Sequence, residues 1–427
     1  MRVIKLKPAE AFSNEHLQRK SAFNAQAMEV ATGIVEDVRQ RGDACLLELT
    51  EKFDGVKLES LRVSQEKFDA AVAACDPVLA GALEQAAAQI RGFHERQLEQ
   101  SWFAVREDGA LVGAKVTPLD SVGVYVPGGR ALYPSTLLMN ALPASVAGVE
   151  RIVVVNPPLP DGGIDPAIAK ACELAGVTEV YQVGGAQAIA ALAYGTEQIA
   201  AVDKVTGPGN AFVAAAKKLV SGDVGIDMIA GPSEVCVVAD ETADPELVAI
   251  DLMAQAEHDP LATCYLVTFS EEYSEKVRSA IYELTKRSTR KEITTSSLVD
   301  QGLIVICNDL PQALEAVNVI APEHLELHIA NPMESLGAIR HAGAIFMGEW
   351  TPEAVGDYVA GPNHTLPTGG TARFSSPLAV EQFIKKSSVI QYSPQALAAD
   401  APAIIAIADH EGLWAHARSV EMRARQL

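Results

Sequence analysis

Glu323 and His324 are adjacent in a segment where apolar and polar side chains alternate up to Ile329. This alternation predicts a half-buried strand that begins at the pair. A carboxylate beside an imidazole suits water activation and proton transfer near neutral pH. Taken alone, these residues nevertheless favour a solvated strand edge over a catalytic pair.

Other polar groups could bind an ion. Gln255 and His258 lie three positions apart near the end of a predicted helix, where side chains of that spacing share a face. Spacing alone favours an ordinary polar helix end, because glutamine is an unusual zinc ligand. Asp357 lies in residues 348–377, a stretch rich in Gly, Pro and Thr. A structureless stretch of that length is usually functional. His416, in a predicted C-terminal helix, is more simply a surface histidine.

Two glycine turns each connect a predicted strand to a predicted helix, at residues 183–187 and 207–210. Backbone N–H groups at such turns, with the positive end of the helix, favour phosphate groups. Neither turn matches the dinucleotide fingerprint G-x-G-x-x-G, since Phe212 occupies the third glycine position of the second turn. The turns therefore indicate an anionic ligand without identifying it.

Strands and helices alternate from about residue 120 onward, which predicts two parallel α/β bodies. The segment before residue 120 is mostly helical by its periodicity, and the last 50 residues are predicted to be helical as well. The predicted strands are 122–126, 151–155, 179–183, 204–206, 235–238, 263–268, 303–307 and 344–347. The predicted helices include 27–40, 78–97, 135–148, 186–194, 211–219 and one that runs from 244 to about 259.

Composition excludes several classes of protein. The chain has 427 residues, 48% of them hydrophobic, and this length suggests about three domains. Its net charge of −21 argues against a basic surface for nucleic acid. No apolar run reaches the ~18 residues of a membrane span, and the N-terminus lacks the apolar core of a signal peptide. The six cysteines are scattered, which indicates reduced, buried thiols and a cytoplasmic location.

Taken together, the segments resemble one family, histidinol dehydrogenase, from about residue 20 to 420. The stretches that carry the resemblance occur in order along the chain. They are Val124-Tyr-Val-Pro-Gly-Gly129, Gln182-Val-Gly-Gly-Ala-Gln187, Gly207-Pro-Gly-Asn-Ala-Phe-Val213, Ala230-Gly-Pro-Ser-Glu234, Ala254-Gln-Ala-Glu-His-Asp259, Ala321-Pro-Glu-His-Leu325 and Gly361-Pro-Asn-His-Thr-Leu-Pro367.

The resemblance implies an α/β fold of two incomplete Rossmann-like parallel-sheet domains with small helical N- and C-terminal segments, in a domain-swapped homodimer. Its implied divisions are an N-terminal arm (1–23), a first domain with the catalytic and metal residues (24–124 and 238–378), a second, NAD-binding domain (125–237) and a C-terminal tail that reaches the partner subunit (379–427).

The resemblance also implies roles for individual residues. The zinc ligands would be Gln255, His258, Asp357 and, from the partner subunit, His416. Substrate contacts would come from the same four ligands with Ser233, His324 and, also from the partner, Glu411. Contacts to NAD would come from Tyr125, Gln187 and Asn210. The remaining histidines, among them His328, His341 and His364, are assigned structural roles, with His364 expected near the pocket.

The implied reaction is a four-electron oxidation of L-histidinol through L-histidinal to L-histidine with two NAD in turn, while Zn²⁺ holds the substrate. His324 would be the base in both oxidations, and Glu323 would activate the water that hydrates the aldehyde. A cysteine thiohemiacetal would need a reactive thiol, and no cysteine lies in the matched polar motifs.

Two alternatives remain open at this stage. The first is a related zinc- and NAD-dependent dehydrogenase of another small alcohol, such as sulfopropanediol. Glu411 with Ser233 favours a cationic substrate over a sulfonate, which the carboxylate would repel. The second is a zinc-dependent binding protein without catalysis, against which the presence of both Glu323 and His324 argues.

Overall fold

The computed structural model describes residues 1–17, 19, 25–128, 132–160, 162–177 and 179–426. They form two compact units, the first made of Met1–Gln97 with Asp120–Phe383 and the second of Leu98–Leu119 with Ile384–Leu427. The predicted boundary at residues 23 and 24 and Gly129 of the first matched stretch lie outside the described residues.

Strands and helices follow one another along most of the chain. The strands are β1 (Arg2–Lys5), β2 (Trp102–Val105), β3 (Leu111–Pro118), β4 (Ser121–Tyr125), β5 (Arg151–Asn156), β6 (Glu179–Gln182), β7 (Lys204–Thr206), β8 (Gly225–Ile226), β9 (Glu234–Ala239), β10 (Thr263–Thr268), β11 (Leu303–Ile306), β12 (His324–His328), β13 (Ala344–Met347) and β14 (Ile384–Gln391). The helices are α1 (Ala25–Arg41), α2 (Asp43–Asp54), α3 (Gln65–Ala73), α4 (Pro77–His94), α5 (Pro134–Ala147), α6 (Pro166–Ala175), α7 (Gly185–Tyr194), α8 (Ala211–Val220), α9 (Pro245–Ala256), α10 (Glu271–Thr285), α11 (Lys291–Asp300), α12 (Leu310–Ile320), α13 (Pro332–Ser335), α14 (Glu353–Tyr358), α15 (Pro394–His410) and α16 (Trp414–Ala424).

The first unit contains a parallel five-stranded sheet with the strand order β6-β5-β4-β7-β8. Its central strands are continuous apolar runs, as expected for parallel strands that helices cover on both faces. Aspartate and proline begin α6, where the Asp165 side chain accepts from the N–H groups of Ala167 and Ile168. The prediction of a parallel α/β body is confirmed here.

The same unit contains a parallel six-stranded sheet with the order β1-β11-β10-β9-β12-β13. Each strand predicted between residues 122 and 347 is present in one of the two sheets. The first residues of the chain add β1, a strand that the sequence analysis did not include. Because β1 has only four residues, its alternation is too short to distinguish it from a loop.

The prediction that the strand from His324 is half-buried is wrong. β12 lies between β9 and β13, and all five of its residues are buried. The alternation of polar and apolar side chains is real, but the polar face contacts the Asp251 side chain of α9 and the first backbone N–H of α14 rather than water.

Residues 348–377 are not structureless, because they contain the six-residue helix α14 and a 3₁₀ turn at Thr371–Arg373. So short a helix is hard to recognise from the sequence because it spans less than two turns and includes Gly356.

The second unit is built on an antiparallel sheet with the order β14-β3-β2. The C-terminal prediction of helix is confirmed for α15 and α16 and is wrong for Ile384–Gln391, which form β14. None of the helices in the described part of the chain is long and apolar enough to cross a membrane. All six cysteines are buried free thiols, as predicted.

Candidate active site

A cavity of about 590 Å³ opens in the first unit. The turn after β7 and the residue after β8 line it from the carboxyl edge of the five-stranded sheet. The starts of β9 and β12, the end of α9 and the helix α14 line it from the amino edge of the six-stranded sheet. Every residue in its lining belongs to the first unit.

His324 is the first residue of β12 and points its imidazole toward this cavity. Its Nδ1 lies 3.2 Å from the backbone oxygen of Glu234, so Nδ1 donates there and leaves Nε2 as the acceptor. The buried Nε2 has no hydrogen-bond partner among the described residues, and lies 3.7 Å from Asp357 Oδ1. Burial lowers the pKa of His324, but the carboxylates of Glu353, Glu323 and Asp357 outweigh burial and hold that pKa well above its usual value.

Glu323 is also buried, so the interpretation of the Glu323–His324 pair as a solvated strand edge is wrong. Its Oε2 accepts from the N–H of Glu234 at 2.8 Å. Burial raises the pKa of the Glu323 carboxyl to about 7. The backbone of Glu234 therefore holds both members of the pair, and Arg19 Nε donates to the Glu234 side chain at 3.1 Å.

Asp357 lies on α14, four positions after Glu353, so both side chains share one face of that helix. Burial raises the pKa of Asp357, but the neighbouring His324 outweighs burial and lowers it below the usual value. Glu353 is 2% exposed, and burial raises the pKa of its carboxyl group well above the usual value. The sequence analysis missed Glu353, which its spacing of four from Asp357 could have indicated.

Gln255 and His258 reach the same cavity from the end of α9. When the Gln255 amide nitrogen faces Glu353 it donates to both carboxyl oxygens, at 3.0 and 3.1 Å, lies 3.3 Å from His324 Nδ1, and leaves the amide oxygen as an acceptor. His258 lies just beyond the last residue of α9 and is exposed. Its Nδ1 lies 3.0 Å from the backbone oxygen of Ala254, so Nε2 remains available as a ligand.

Of the three residues expected to contact NAD, Asn210 lines the cavity, whereas Tyr125 and Gln187 are buried outside its lining. Asn210 lines the cavity and caps α8, where its side chain accepts from the N–H groups of Phe212 and Val213. Tyr125 ends β4, is buried, and accepts from the N–H of Gly185 at 3.2 Å, and burial raises its pKa to about 12. Gln187 is buried on α7.

Of the other expected substrate contacts, Ser233 lies at the cavity, whereas Glu411 and His416 belong to the second unit. Ser233 lines the cavity immediately before β9, and His364 lines it as expected. Glu411 and His416 belong to the second unit, at the end of α15 and within α16, and both are exposed.

Comparisons with known proteins follow this geometry. Residues 17–424 match the family described as histidinol dehydrogenase. A histidinol dehydrogenase of Bacillus subtilis (strain 168) is 52% identical over 97% of this chain and 97% of its own length. One of Geobacillus kaustophilus (strain HTA426) is 54% identical over 91% of this chain and 92% of its own length.

A crystal structure of histidinol dehydrogenase from Elizabethkingia anophelis has the same fold, with a TM-score of 0.94 and 35% identity over 100% of this chain and 98% of that one. The chain belongs to the histidinol dehydrogenase family. It is therefore an oxidoreductase with the α/β fold of parallel sheets that the resemblance implied.

In this member of the histidinol dehydrogenase family, a buried ion pair between Lys217 and Asp227 holds the turn after β7. Lys217 Nζ donates to the backbone oxygen of Gly207 at 3.0 Å, and Asp227 Oδ2 accepts from the Gly207 N–H at 2.9 Å. Gly207 has φ +113°, and a Cβ there would lie 2.1 Å from the backbone oxygen of Tyr125. Only glycine fits this turn, and the ion pair fixes both of its peptide groups.

We expect Lys217→Met to lower the free energy of unfolding by about 3 to 5 kcal/mol, because it leaves Asp227 buried without its partner. Urea unfolding at a fixed protein concentration measures this change. An exposed lysine elsewhere gives the control, since Lys57→Met should stay within about 0.5 kcal/mol of the unchanged protein. Adding Asp227→Leu to Lys217→Met should recover part of the loss. Equal urea midpoints for the two single variants would contradict the role of the pair.

Proposed function

We propose that the chain catalyses the NAD-dependent oxidation of L-histidinol through L-histidinal to L-histidine, with zinc holding the substrate. The observation that carries this proposal is the buried imidazole of His324, whose Nε2 is unpartnered within the described chain and lies in the cavity beside Glu323 and Asp357. The balanced reaction takes L-histidinol, two NAD⁺ and one water to L-histidine, two NADH and three protons.

The donor set in the cavity fits a zinc ion. Carboxyl groups of Glu323, Glu353 and Asp357 surround the imidazole of His324, so the site holds buried acidic groups that a divalent cation would compensate. Asp357, the Gln255 oxygen and His258 Nε2 are oxygen and nitrogen donors of the kind zinc accepts. We assign these three as ligands, with His416 of the partner subunit as the fourth.

Bound zinc would hold the imidazole and amine of histidinol, and bound NAD would accept a hydride in each oxidation. The carboxylates beside His324 raise its pKa, and a bound divalent cation would compensate them, so that neutral His324 can take the proton of the alcohol oxygen at Nε2. Loss of this proton makes loss of the hydride from the carbinol carbon easier. Glu323 then takes a proton from the water that adds to the aldehyde. Protonated His324 returns its proton to the aldehyde oxygen as the water adds. It then takes a hydroxyl proton of the hydrate as the second hydride leaves the same carbon.

Burial suits both proton-transfer groups. A carboxyl group with a pKa near 7 can accept and release a proton at neutral pH, and burial gives Glu323 this property. The Nδ1 of His324 is committed to the backbone of Glu234, which fixes the tautomer that presents Nε2 to the substrate. Ser233 of the same chain would complete the substrate contacts, together with Glu411 of the partner subunit.

The nucleotide would occupy the part of the cavity near the turn after β7. Asn210 begins α8 at this turn, and the N-terminal N–H groups of a helix attract phosphate. Tyr125 and Gln187 pack beside the same edge of the five-stranded sheet and would contact the NAD after a local rearrangement of their side chains.

A domain-swapped homodimer with shared active sites is the assembly we propose. The second unit, which carries Glu411 and His416, exposes large apolar side chains that a second copy of the chain would cover. They include Trp102, Phe103, Ile390 and Trp414. The six cysteines of the chain are free and buried, which suits the reducing cytoplasm that we propose as its compartment.

Two alternatives differ in what they require of the cavity. A sulfonated alcohol would be repelled by the carboxyl groups of Glu323, Glu353 and Asp357, whereas the cationic amine of histidinol would be attracted. A binding protein without catalysis would have no need of an unpartnered, buried imidazole beside a carboxyl group of raised pKa.

The deciding experiment follows NADH formation at 340 nm with L-histidinol or sulfopropanediol, with and without a chelator and with zinc restored. We expect NADH from L-histidinol alone, two equivalents for each substrate molecule, with loss on chelation and recovery with zinc. NADH from sulfopropanediol only would establish the other dehydrogenase, and zinc binding without NADH from either would indicate a binding protein.

Glu323→Gln should separate the two oxidations, because the amide still accepts from the Glu234 N–H but cannot take a proton from water. We expect oxidation of L-histidinal to fall by about 10²-fold or more and the first oxidation of L-histidinol to fall much less. Single-turnover assays with each substrate measure the two steps. The exposed residue Glu315 on α12 provides the control Glu315→Gln, and equal losses in both steps would count against this assignment.

Shared sites can be tested by mixing two inactive variants, Asp357→Asn and His416→Asn. In a heterodimer, one of the two sites would then receive both unmodified residues. Random exchange makes about half of the dimers heterodimers, so about a quarter of the activity should return. Asp357→Asn mixed with His258→Asn is the matched control and should restore none, because both residues come from the same subunit. Proven exchange without recovery in the first mixture would exclude a site shared in this way.

A further inference from the structure

Three elements of the first unit each carry polar residues on a single face. Alternate positions of a strand and positions four apart on a helix point the same way. The residues concerned are His324, Glu326 and His328 on β12, Asp251 and Gln255 on α9, and Glu353 and Asp357 on α14. Each element thus contributes at least one group to the cavity, and β12 and α9 also place at least one group behind it.

The groups behind the cavity form a buried cluster of Asp251, Glu326 and His328. His328 Nε2 lies 3.2 Å from Glu326 Oε2 and 3.3 Å from Asp251 Oδ2. The side chains of Glu326 and His328 are 0% and 1% exposed. A carboxylate so deeply buried is costly unless each oxygen has a partner, and His328 satisfies one of the two.

The second oxygen of Glu326 connects the cluster to the cavity. Glu326 Oε1 accepts from the backbone N–H of Glu353 at 3.0 Å, at the first residue of α14. The Glu353 side chain in turn accepts both hydrogen bonds from the Gln255 amide. One carboxylate therefore fixes the start of the helix that carries Asp357 and, through Glu353, the orientation of the Gln255 amide.

We propose that Glu326, held by His328 and Asp251, is a positioning residue that sets the geometry of Asp357 and Gln255 and thereby the zinc affinity of the site. This inference rests on the proposed function, in which both residues are ligands. Glu326 touches neither substrate nor cofactor. It acts by holding α14 against β12, so that the two donors are already in place when the ion binds.

The rival interpretation of the cluster is a second metal site, since its three side chains could themselves surround an ion. The hydrogen bond from the Glu353 N–H favours the positioning role. It occupies one Glu326 oxygen, and the remaining oxygen is already within hydrogen-bond distance of His328. A fully buried cluster of this kind leaves little access for an ion from solvent.

Two substitutions at Glu326 separate its hydrogen bond from its size. Glu326→Gln keeps an oxygen that can accept from the Glu353 N–H, whereas Glu326→Leu fills similar space and accepts nothing. Asp251→Ala removes the contact of Asp251 with His328, at the more accessible end of the cluster. This variant replaces Glu326→Leu in the test if Glu326→Leu does not fold. Ile168→Ala, in the buried face of α6, is the control for general destabilisation because α6 carries none of the residues of the cluster, which lie on α9, β12 and α14.

The measurement is the zinc dissociation constant of the folded full-length protein, obtained by competition with a chromophoric chelator. We expect Glu326→Leu to raise this constant by about 10- to 100-fold, Asp251→Ala to raise it less, and Glu326→Gln to stay within about 3-fold, as loss of an outer-shell partner does in metal sites. At saturating zinc, Glu326→Leu should raise KM for L-histidinol and leave KM for NAD unchanged.

The outcomes distinguish the inference from the function on which it rests. If the unchanged protein binds no zinc, the proposed zinc site falls and the inference falls with it. If it binds zinc and Glu326→Leu binds zinc equally well, only the inference is overturned. A loss in Ile168→Ala as large as in Glu326→Leu would overturn it too. So would a second zinc equivalent that Glu326→Leu removes while the first keeps its affinity.

Discussion

Buried charge along the polar face of β12 is the constraint on which the site depends. His324, Glu326 and His328 alternate on a strand inside a parallel sheet, where side chains are normally apolar. Ionisable groups there are tolerated only when partners surround them, and the partners come from the facing sides of α9 and α14. The positions of these helices are thus set by a demand for hydrogen bonds as well as by apolar packing.

The five-stranded sheet meets a different requirement on the other side of the cavity. The proposed dinucleotide would bring negative phosphates to a chain of net charge −21, so its site would need local compensation. The turn after β7 offers backbone N–H groups at the start of α8, and the cationic side chain nearby, Lys217, is already paired with Asp227. Its positive charge is used to fix the turn, so the proposed ligand would be attracted by the positive N-terminal end of α8.

Much of the fold could be predicted because its signals are local. Apolar runs such as residues 151–155, glycine turns and the aspartate–proline start of α6 each act within a few residues, and the corresponding elements are present. The failures have equally specific causes. β1 and α14 are too short to show a period, and β14 was wrongly included in the predicted helical segment at the C-terminus. The pair Glu323–His324 was assigned to a solvated edge because alternation shows that a strand has two kinds of face but not what covers the polar one.

The sequence by itself determined which chemical groups are available, in what order they occur, and, by resemblance, which family they belong to. Only the tertiary structure decided that Glu323 and His324 are buried, that the pKa of Glu323 rises to about 7, and that Glu353 joins them. The reason is that burial and neighbouring charge are properties of contacts between residues far apart in the chain. Gln255, His324 and Asp357 are separated by dozens of residues, and their electrostatics exist only once α9, β12 and α14 have packed together.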